Sequence, residues 1–240
     1  MHVNGSIAVV TGANRGIGRA LVEALLAGGA SVVYATARRP ETVEDLVARD
    51  HRVRPLRLDV TDPEQVTRAA RVASDATLLI NNGGSLGFAD PLTGDLATIE
   101  VDLRTNFIGT LSATRAFVPV IERNGGGAIV TMLSLVVFGA VPAMSGYSAA
   151  KAAAASATQA LRAQLLDRKI SVHGVFPGAV DTDMIRGMAM PKATPSSVAT
   201  AILDGVEAGA ENIFPDPMAQ AGHQAWRADP AAFERRMGSM

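Results

Sequence analysis

The segment Thr11–Gly18 reads TGANRGIG; it follows a short apolar run, Ser6–Val10, and opens a stretch with leucines at helical spacing, Gly16–Ala27. Glycines between a strand and a helix let the backbone turn tightly and approach a pyrophosphate, whose charge is met by free N–H groups at the helix N-terminus. Three glycines in this spacing can also form an ordinary tight turn, but the position between strand and helix favours a nucleotide site. The predicted phosphate-binding residues are Gly12, Asn14, Arg15, Gly16, Ile17 and Gly18.

Short apolar runs alternate with amphipathic stretches along the whole chain. Strands that are continuously apolar are typical of a parallel sheet covered by helices on both faces, so we predict one α/β domain over residues 1–240. Strands are predicted at 6–10, 31–37, 53–58, 77–81, 128–133, 170–176 and 212–214, and the main helices at 16–27, 96–123, 147–167 and 196–209. The polar residues 216–240, anchored by Trp226 and Phe233, are either a subunit-contact arm or a loosely held tail.

The composition excludes several classes of protein. Lys and Arg number 22 against 23 Asp and Glu, which argues against binding to nucleic acid or to an anionic membrane surface. There is no cysteine and the four histidines are scattered, so neither a disulfide framework nor a metal site is predicted. The most apolar stretch, Ala128–Met144, is shorter than the ~20 residues of a membrane-spanning helix, and the N-terminus does not resemble a signal peptide. We expect a cytoplasmic protein.

The end of the second predicted strand indicates which nucleotide binds. A site for NAD places Asp or Glu here to accept hydrogen bonds from the ribose hydroxyls, whereas this chain has Ala37 followed by Arg38 and Arg39. Together with Arg15 in the glycine turn, these guanidinium groups predict a site for the 2′-phosphate of NADP(H), the alternative being that they are solvated surface residues.

Two further strand ends fall on the same edge of the predicted sheet. Asp59-Val60 follows the third strand, where the carboxylate either accepts the adenine amino group or caps the helix that opens at Asp62. Asn82, Gly83 and Gly84 follow the fourth strand, and their backbone either lies against the ribose or forms a plain turn.

Tyr147 and Lys151 stand four residues apart at the start of a predicted helix. The chain has two tyrosines and three lysines, so a chance pair at this spacing has a probability of about 2 × 3/240. A free phenol has a pKa of about 10, and a fixed cation nearby is expected to lower that pKa toward the range of a general acid or base. Ser134, at the end of the fifth strand, can reach the same crevice and donate to a carbonyl oxygen. Asn106 interrupts an apolar helical face and suggests a local kink that holds a water.

Thr11–Gly18, Asn81–Gly84, Asn106, Ser134, Tyr147, Lys151 and Pro177-Gly178 resemble, in order and spacing, the motifs of the short-chain dehydrogenase/reductase family, over about residues 6–214. The resemblance implies a doubly wound, Rossmann-like sheet of about seven strands in the order 3-2-1-4-5-6-7. It also implies a homodimer or homotetramer. The family's usual Asn-Asn-Ala-Gly is replaced here by Asn81-Asn82-Gly83-Gly84, which is expected to loosen the turn without abolishing cofactor binding.

The same resemblance assigns roles to the motif residues. Tyr147 is the acid/base, Lys151 binds the nicotinamide ribose and lowers the pKa of Tyr147, Ser134 orients the carbonyl, and Asn106 completes a proton-relay water site. The residues implied at the nicotinamide end of the cofactor are Pro177, Gly178, Val180 and Thr182.

The residues around these four motif positions are uncharged. We expect them to form an apolar pocket for a neutral, hydrophobic ketone, aldehyde or secondary alcohol; several of them could instead pack the core. They are Leu86, Phe88, Leu135, Val136, Val137, Phe138, Val141, Met144, Met184 and Met188. A 3-oxoacyl-[acyl-carrier-protein] reductase is the competing enzyme, with Arg186 and Lys192 as the available docking cations. A nucleotide-binding sensor or interaction protein is the non-enzymatic alternative.

Overall fold

A single parallel sheet of seven strands in the order β3-β2-β1-β4-β5-β6-β7 organises the computed structural model, which describes residues 1–239. The strands are β1 Ile7–Val10, β2 Val32–Ala37, β3 Val53–Arg57, β4 Leu78–Asn81, β5 Gly127–Met132, β6 Ile170–Val175 and β7 Asn212–Ile213. The α-helices are α1 Gly16–Ala27, α2 Glu44–Arg49, α3 Pro63–Val72, α4 Leu96–Asp102, α5 Thr110–Arg123, α6 Ser145–Leu165, α7 Pro195–Glu207, α8 Pro217–Ala228 and α9 Pro230–Gly238. The predicted strand order and fold class are confirmed.

Both faces of the sheet are buried, because successive side chains of each strand point to opposite sides. On β1, Ala8 and Val10 belong to the apolar core beneath α1 and α7, whereas Val9 belongs to the core beneath α3, α5 and α6. All three residues are fully buried. This two-sided burial explains why the inner strands β1 and β4 are apolar along nearly their whole length, whereas the edge strand β3, with sequence VRPLR, is largely exposed.

Side-chain caps and prolines mark where several helices begin. Asp62 accepts hydrogen bonds from the backbone N–H groups of Glu64 and Gln65, and Pro63 occupies the first turn of α3. Thr194 before α7, Asp216 before α8 and Asp229 before α9 act in the same way, each followed by a proline. A capping oxygen satisfies N–H groups that have no partner inside the helix, so the chain turns sharply into each of these helices.

The predicted helix 96–123 is interrupted. Leu103–Gly109 forms a π-helical segment between α4 and α5, with Asn106 buried within it. The local kink that the sequence predicted at Asn106 is therefore present. A π-turn inserts one extra residue per turn and changes which side chains share a face, which helical periodicity alone does not predict.

Residues 216–239 form two helices that pack on the domain. Phe233 and Met237 of α9 are buried against Leu135, Val136 and Val141. Gly139 is in close contact with the same helix, since a Cβ placed there would lie 2.8 Å from Met237 Cγ. The segment thus covers the loop that follows β5.

Neither a membrane-crossing helix nor a metal-binding cluster is found in the part of the chain that the structure describes. No helix in residues 1–239 is both long enough and apolar enough to span a bilayer. Within the same residues, no group of three or more His, Cys, Asp or Glu side chains is arranged to hold a metal ion.

We expect the protein to lose stability at acidic pH because of His173, a buried residue of β6. Its Nδ1 lies 2.7 Å from the Ala210 carbonyl oxygen and its Nε2 lies 2.9 Å from Ser171 Oγ, and burial lowers its pKa. Below pH ~6.5 the unfolded chain therefore binds a proton before the folded chain does, so the free energy of unfolding should fall as pH decreases. The slope contributed by one proton is at most about 1.4 kcal/mol per pH unit.

Urea unfolding between pH 7 and pH 5 measures this effect. His173→Gln should flatten the pH dependence, and His51→Gln, at an exposed position, should leave it unchanged. An equal slope in the His173 variant and the parent chain would show that another group is responsible.

Candidate active site

A cleft of about 450 Å³ runs along the carboxyl ends of the central strands. Parallel strands end on one rim of the sheet, so turns that are distant in sequence meet there. The predicted site residues that line the cleft are Gly12, Asn14, Arg15, Gly16, Ile17, Gly18, Arg38, Asp59, Val60, Asn82, Gly83, Gly84, Asn106, Tyr147, Lys151, Pro177 and Thr182.

The glycine turn is bound to the turn that follows β4. Thr11 Oγ1 accepts hydrogen bonds from the backbone N–H groups of Asn82 and Gly83, at 2.9 and 2.8 Å. The Asn82 side chain in turn donates to the carbonyl oxygens of Thr11 and Gly12, at 2.9 and 3.2 Å. Gly12 has a φ of 65°, a conformation that glycine adopts without strain. A side chain on Gly18 would overlap the Gly12 carbonyl oxygen.

Asp59 and Val60 form the wall of the cleft after β3. Asp59 Oδ1 accepts from the Thr61 backbone N–H at 2.9 Å and from the Thr61 hydroxyl at 2.7 Å. Asp62, and not Asp59, caps α3. The carboxylate of Asp59 is thus held in place at the cleft rim, and the helix-cap alternative does not apply to it.

Two arginines border the same end of the cleft. Arg15 lies at the glycine turn and forms an ion pair with Asp183, with Nη1 and Oδ2 separated by 3.3 Å. Arg38 follows β2 and is exposed, and within residues 1–239 no carboxylate lies within 4.0 Å of its guanidinium group. No acidic residue occupies the end of β2, where Ala37 is buried.

Tyr147, Lys151 and Ser134 meet at the floor of the cleft. Lys151 is buried, its Nζ donates to the Met132 carbonyl oxygen at 2.6 Å, and it lies 5.5 Å from the centroid of the Tyr147 ring. Ser134 follows β5, and the proximity of its hydroxyl to Tyr147 lowers the pKa of the phenol. Ser134 Oγ also accepts from the Val136 backbone N–H at 3.4 Å. Ser134 is buried and does not line the cleft, whereas the neighbouring Tyr147 does.

The pKa shifts at this floor differ from the sequence-based expectation. The pKa of Tyr147 is raised to about 12, mainly by burial and to a smaller extent by the charge of Asp102, against the opposing effect of the nearby Ser134 hydroxyl. Burial also lowers the pKa of Lys151 to about 8. The predicted lowering of the phenol pKa by a neighbouring cation is therefore wrong, because the net shift is upward. The ammonium points to the Met132 carbonyl oxygen, and removal of water from the phenolate dominates.

Asn106 is held inside the π-helical segment. Its Nδ2 donates to the Ser85 carbonyl oxygen at 3.0 Å and to the Asp102 carbonyl oxygen at 3.1 Å, and its Oδ1 accepts from the Ser85 backbone N–H at 3.2 Å. Gly84 lies against it, since a Cβ there would be 2.7 Å from Asn106 Oδ1. These bonds hold Asn106 between the turn that follows β4 and the end of helix α4.

Two residues predicted to bind the cofactor, Gly178 and Val180, lie behind the residues that line the cleft. The Gly178 backbone N–H donates to Asp216 Oδ2 at 2.9 Å. Val180 is buried in the core beneath α1 and α7 and pairs with Ala193. Neither residue lines the cleft, because the helices at the C-terminus and the segment before α7 cover this part of the chain.

The predicted apolar pocket is only partly realised. Of the uncharged residues expected to bracket the substrate, Met184 alone lines the cleft as the structure describes it. Leu135, Val136 and Val141 pack beneath α9, so the prediction that they face a substrate is wrong. Phe138 packs against Trp226, with ring centroids 4.7 Å apart. These side chains are core residues created by the C-terminal helices.

Several lining residues were not predicted. Thr61, Ser85 and Asp183 directly follow predicted site residues, so extending each motif by one position would have found them. The others are Leu58, Val101, Arg104, Thr105, Met132 and Leu133. Val101, Arg104 and Thr105 lie around the π-helical segment, whose phase is not readable from helical spacing.

The doubly wound sheet, the glycine turn and the pairing of the half-buried Tyr147 with the buried Lys151 define a dinucleotide-binding class of protein. The family model of short chain dehydrogenases matches residues 6–192. The chain therefore belongs to the short chain dehydrogenase family.

Relatives and solved structures agree with this assignment. A short chain dehydrogenase from Burkholderia cenocepacia J2315, solved in complex with NADP, is 40% identical with a TM-score of 0.93, and the match covers 99% of both chains. The 1-deoxy-11-beta-hydroxypentalenate dehydrogenase of Streptomyces exfoliatus is 33% identical over 80% of this chain and 74% of its own length. The 3-oxoacyl-[acyl-carrier-protein] reductase FabG of Escherichia coli is 32% identical over 79% of each. The match spans only 59% of a Drosophila melanogaster relative, dehydrogenase/reductase SDR family protein 7-like, and 65% of the Botryotinia fuckeliana oxidoreductase BOA17.

The glycine turn gives a matched pair of substitutions. Gly18→Ala should lower the free energy of unfolding by about 1–3 kcal/mol, because its methyl group overlaps backbone that cannot move away. Gly83→Ala should change it by no more than about 1 kcal/mol, since the nearest atom, Thr11 Oγ1, is 3.3 Å away. Chemical denaturation of both variants measures the difference, and equal effects would contradict the close packing at Gly18.

Proposed function

We propose that this chain is an oxidoreductase that transfers a hydride between NADP(H) and a neutral, hydrophobic ketone, aldehyde or secondary alcohol. The observation that carries the proposal is the Tyr147 side chain at the floor of the cleft, 5.5 Å from the buried Lys151 ammonium and close to the buried Ser134 hydroxyl. A phenol and a serine that converge on one point are suited to bind and protonate a carbonyl oxygen.

The residues of the cleft fit NADP(H). Gly16 has a φ of 54°, and a Cβ on it would meet Thr182 at 3.0 Å, so the glycine keeps the turn open for a phosphate group. Arg38 offers an unpaired guanidinium at the end of β2 within the described chain, and Arg15, which is paired with Asp183, also lines the cleft. The absence of an acid at Ala37 removes the partner that would favour the unphosphorylated ribose. The Burkholderia structure in complex with NADP supports the same choice.

The protein residues act on the proton and on the substrate oxygen. NADP(H), when bound, supplies or accepts the hydride. Because burial keeps the pKa of Tyr147 at about 12, its Oη holds a proton at neutral pH and can donate it to the oxygen of a carbonyl substrate. Ser134 Oγ accepts from Val136, which leaves its own proton free to bind the same oxygen. Alcohol oxidation requires the phenolate and should be favoured at alkaline pH.

Side chains at the floor and its rim support a neutral substrate. Leu133, Val101 and Met184 line the cleft and are uncharged, whereas Arg104 of the π-helical segment lines it at an exposed position. Met184 is 41% exposed and flexible, so it can adapt to substrates of different shape. Because α8 and α9 cover the residues after Ser134, the substrate must approach from the side of Met184 and Val101.

The acid/base role is tested by Tyr147→Phe. The substitution should reduce kcat for ketone reduction by about 10²–10⁴-fold, since it removes the proton donor, while NADPH binding persists. Nicotinamide absorbance with a panel of ketones measures turnover, and a fluorescence titration measures binding. Tyr34→Phe is the matched control, because Tyr34 bonds to Asp75 outside the cleft. Full activity in the Tyr147 variant would remove this role.

Cofactor choice is tested by Ala37→Asp combined with Arg38→Leu. The pair should shift the ratio of kcat/KM for NADPH over NADH by at least about tenfold toward NADH, since a hydrogen bond to a charged group contributes about 1.5–3 kcal/mol. Arg39→Leu, at an exposed position that does not line the cleft, is the control and should leave the ratio unchanged. An unchanged ratio in the double variant would mean that Arg38 does not contact the 2′-phosphate.

The similarity to the Escherichia coli reductase makes 3-oxoacyl-carrier-protein reduction the second candidate. Arg186, one of the two cations predicted to dock a carrier, forms an ion pair with Asp183, which weakens this alternative. Comparing one 3-oxoacyl group on the carrier protein and on a small thiol decides between them. A kcat/KM at least tenfold higher for the carrier form would favour the second candidate. Absence of turnover with either form and with the ketone panel would favour a nucleotide-binding sensor.

We also propose that the chain forms a homodimer or homotetramer. Ile108 in the π-helical segment is 50% exposed and Leu166 after α6 is 79% exposed, which are apolar surfaces suited to contact a second copy. Light scattering at micromolar concentration should give a multiple of the 24.8 kDa chain mass, and the mass of one chain would contradict the proposal.

A further inference from the structure

A buried carboxylate lies next to the floor of the cleft. Asp102 is the last residue of α4 and is 1% exposed. Its Oδ1 accepts from the Ser85 hydroxyl at 2.6 Å, and its Oδ2 accepts from the Gly87 backbone N–H at 2.9 Å. Both carboxylate oxygens therefore act as hydrogen-bond acceptors.

Asp102 has no cation in direct contact. Within residues 1–239, no basic group lies within 4.0 Å of its carboxylate, and the same holds for carboxylates around Lys151. Lys151 is 5% exposed. An uncompensated buried charge is costly, so two buried charges of opposite sign in adjacent elements stabilise each other even without touching.

Helix α4, which ends at Asp102, packs against α6, which carries Lys151. Gly146 lies against α4, since a Cβ there would be 2.8 Å from Ile99 Cα, so the helices approach closely one residue before Tyr147. Asn106 Nδ2 donates to the Asp102 carbonyl oxygen and to the Ser85 carbonyl oxygen. The carboxylate is thus held by groups that also hold the site residue Asn106.

We propose that Asp102 is the buried counter-charge of Lys151, a positioning residue that keeps the ammonium ionised and sets the pH range in which the Tyr147–Lys151 pair works. The second half of this proposal rests on the proposed function. The first half concerns the charge state of Lys151 and can be measured without any substrate.

The direction of the effect follows from the sign of the charge. The carboxylate of Asp102 raises the pKa of Lys151 and also raises the pKa of Tyr147, because a negative charge disfavours proton loss from either group. Burial acts on Lys151 in the opposite sense. Removing the charge of Asp102 should therefore lower both pKa values together.

Other charged groups on the elements around α6 do not act in the same way. His173 on β6 is buried, and its ring nitrogens are directed to Ala210 and Ser171. The remaining charged side chains on α4, the π-helical segment and α5 are exposed, and they are Glu100, Arg104, Arg115, Glu122 and Arg123. Charges in contact with water are strongly screened, so among these groups we expect the removal of Asp102 to have the largest effect on the pKa of Lys151.

The test is a titration of Lys151 by nuclear magnetic resonance. The chain has three lysines, so Lys169→Arg with Lys192→Arg leaves Lys151 as the only lysine signal. In this background the midpoint should lie at about 8, and Asp102→Asn should lower it by about one pH unit. Glu100→Gln is the matched control, because it removes an exposed carboxylate from the same helix and should leave the midpoint unchanged.

A second variant protects the test against misfolding. Asp102→Ser also removes the charge, and it should produce the same fall if Asp102→Asn cannot accommodate the Gly87 N–H. An unchanged Lys151 midpoint in a folded neutral variant would overturn the proposal.

Kinetics then separate the proposal from the proposed function. With a ketone and alcohol pair that the parent chain turns over, both limbs of the pH profile of kcat/KM should move to lower pH in Asp102→Asn, whereas a purely structural role would reduce the rate without moving the limbs. A shifted Lys151 midpoint in a chain that turns over no substrate would support the counter-charge and contradict the proposed function. If the Lys151 midpoint shifts in Asp102→Asn but the pH profile of kcat/KM does not, then Asp102 affects the charge of Lys151 without setting the pH range of catalysis.

Discussion

Four hydrogen bonds between the glycine turn and the turn after β4 are the contact on which the cleft depends. Thr11 and Asn82 exchange side-chain and backbone bonds across the ends of two adjacent strands, and Gly18 leaves room for the backbone between them. Because these turns belong to β1 and β4, at the centre of the sheet, they position the walls to which the other site residues are attached. Loss of this contact would remove the bonds that hold the turn after β1 against the turn after β4.

The chemistry of the floor is governed by the removal of water. Burial shifts the pKa of Tyr147 upward and that of Lys151 downward, so each group is biased toward its neutral form. A site in which the phenol keeps its proton suits carbonyl reduction, and a positive charge added nearby would shift it toward the reverse reaction. Asp102 opposes the neutralisation of Lys151 from the other side of the helix interface, which links the packing of α4 to the protonation of the site.

The C-terminal helices α8 and α9 change which side chains are open to the cleft, although they carry no sequence motif. Helix α9 buries Phe233 and Met237 on the segment that follows Ser134, and Asp216, before α8, binds the Gly178 backbone. Side chains that would otherwise be open to a substrate become part of the core. The same helices therefore stabilise the serine-bearing segment and restrict the direction of approach to the floor.

The sequence by itself determined the strand positions to within about a residue, the glycine turn and the placement of Ser134, Tyr147 and Lys151 at one edge of the sheet, because each depends on local periodicity and on the geometry of parallel strands. The sheet order followed from the family resemblance of the motifs. It also indicated the kink at Asn106, since a polar residue interrupts an apolar face. Tertiary structure decided the burial of Asp102, the change of phase around Arg104 and the covering of Leu135 by α9. It also decided the sign of the Tyr147 shift. Each of these depends on contacts between elements that are distant in sequence, and no local sequence pattern encodes those contacts.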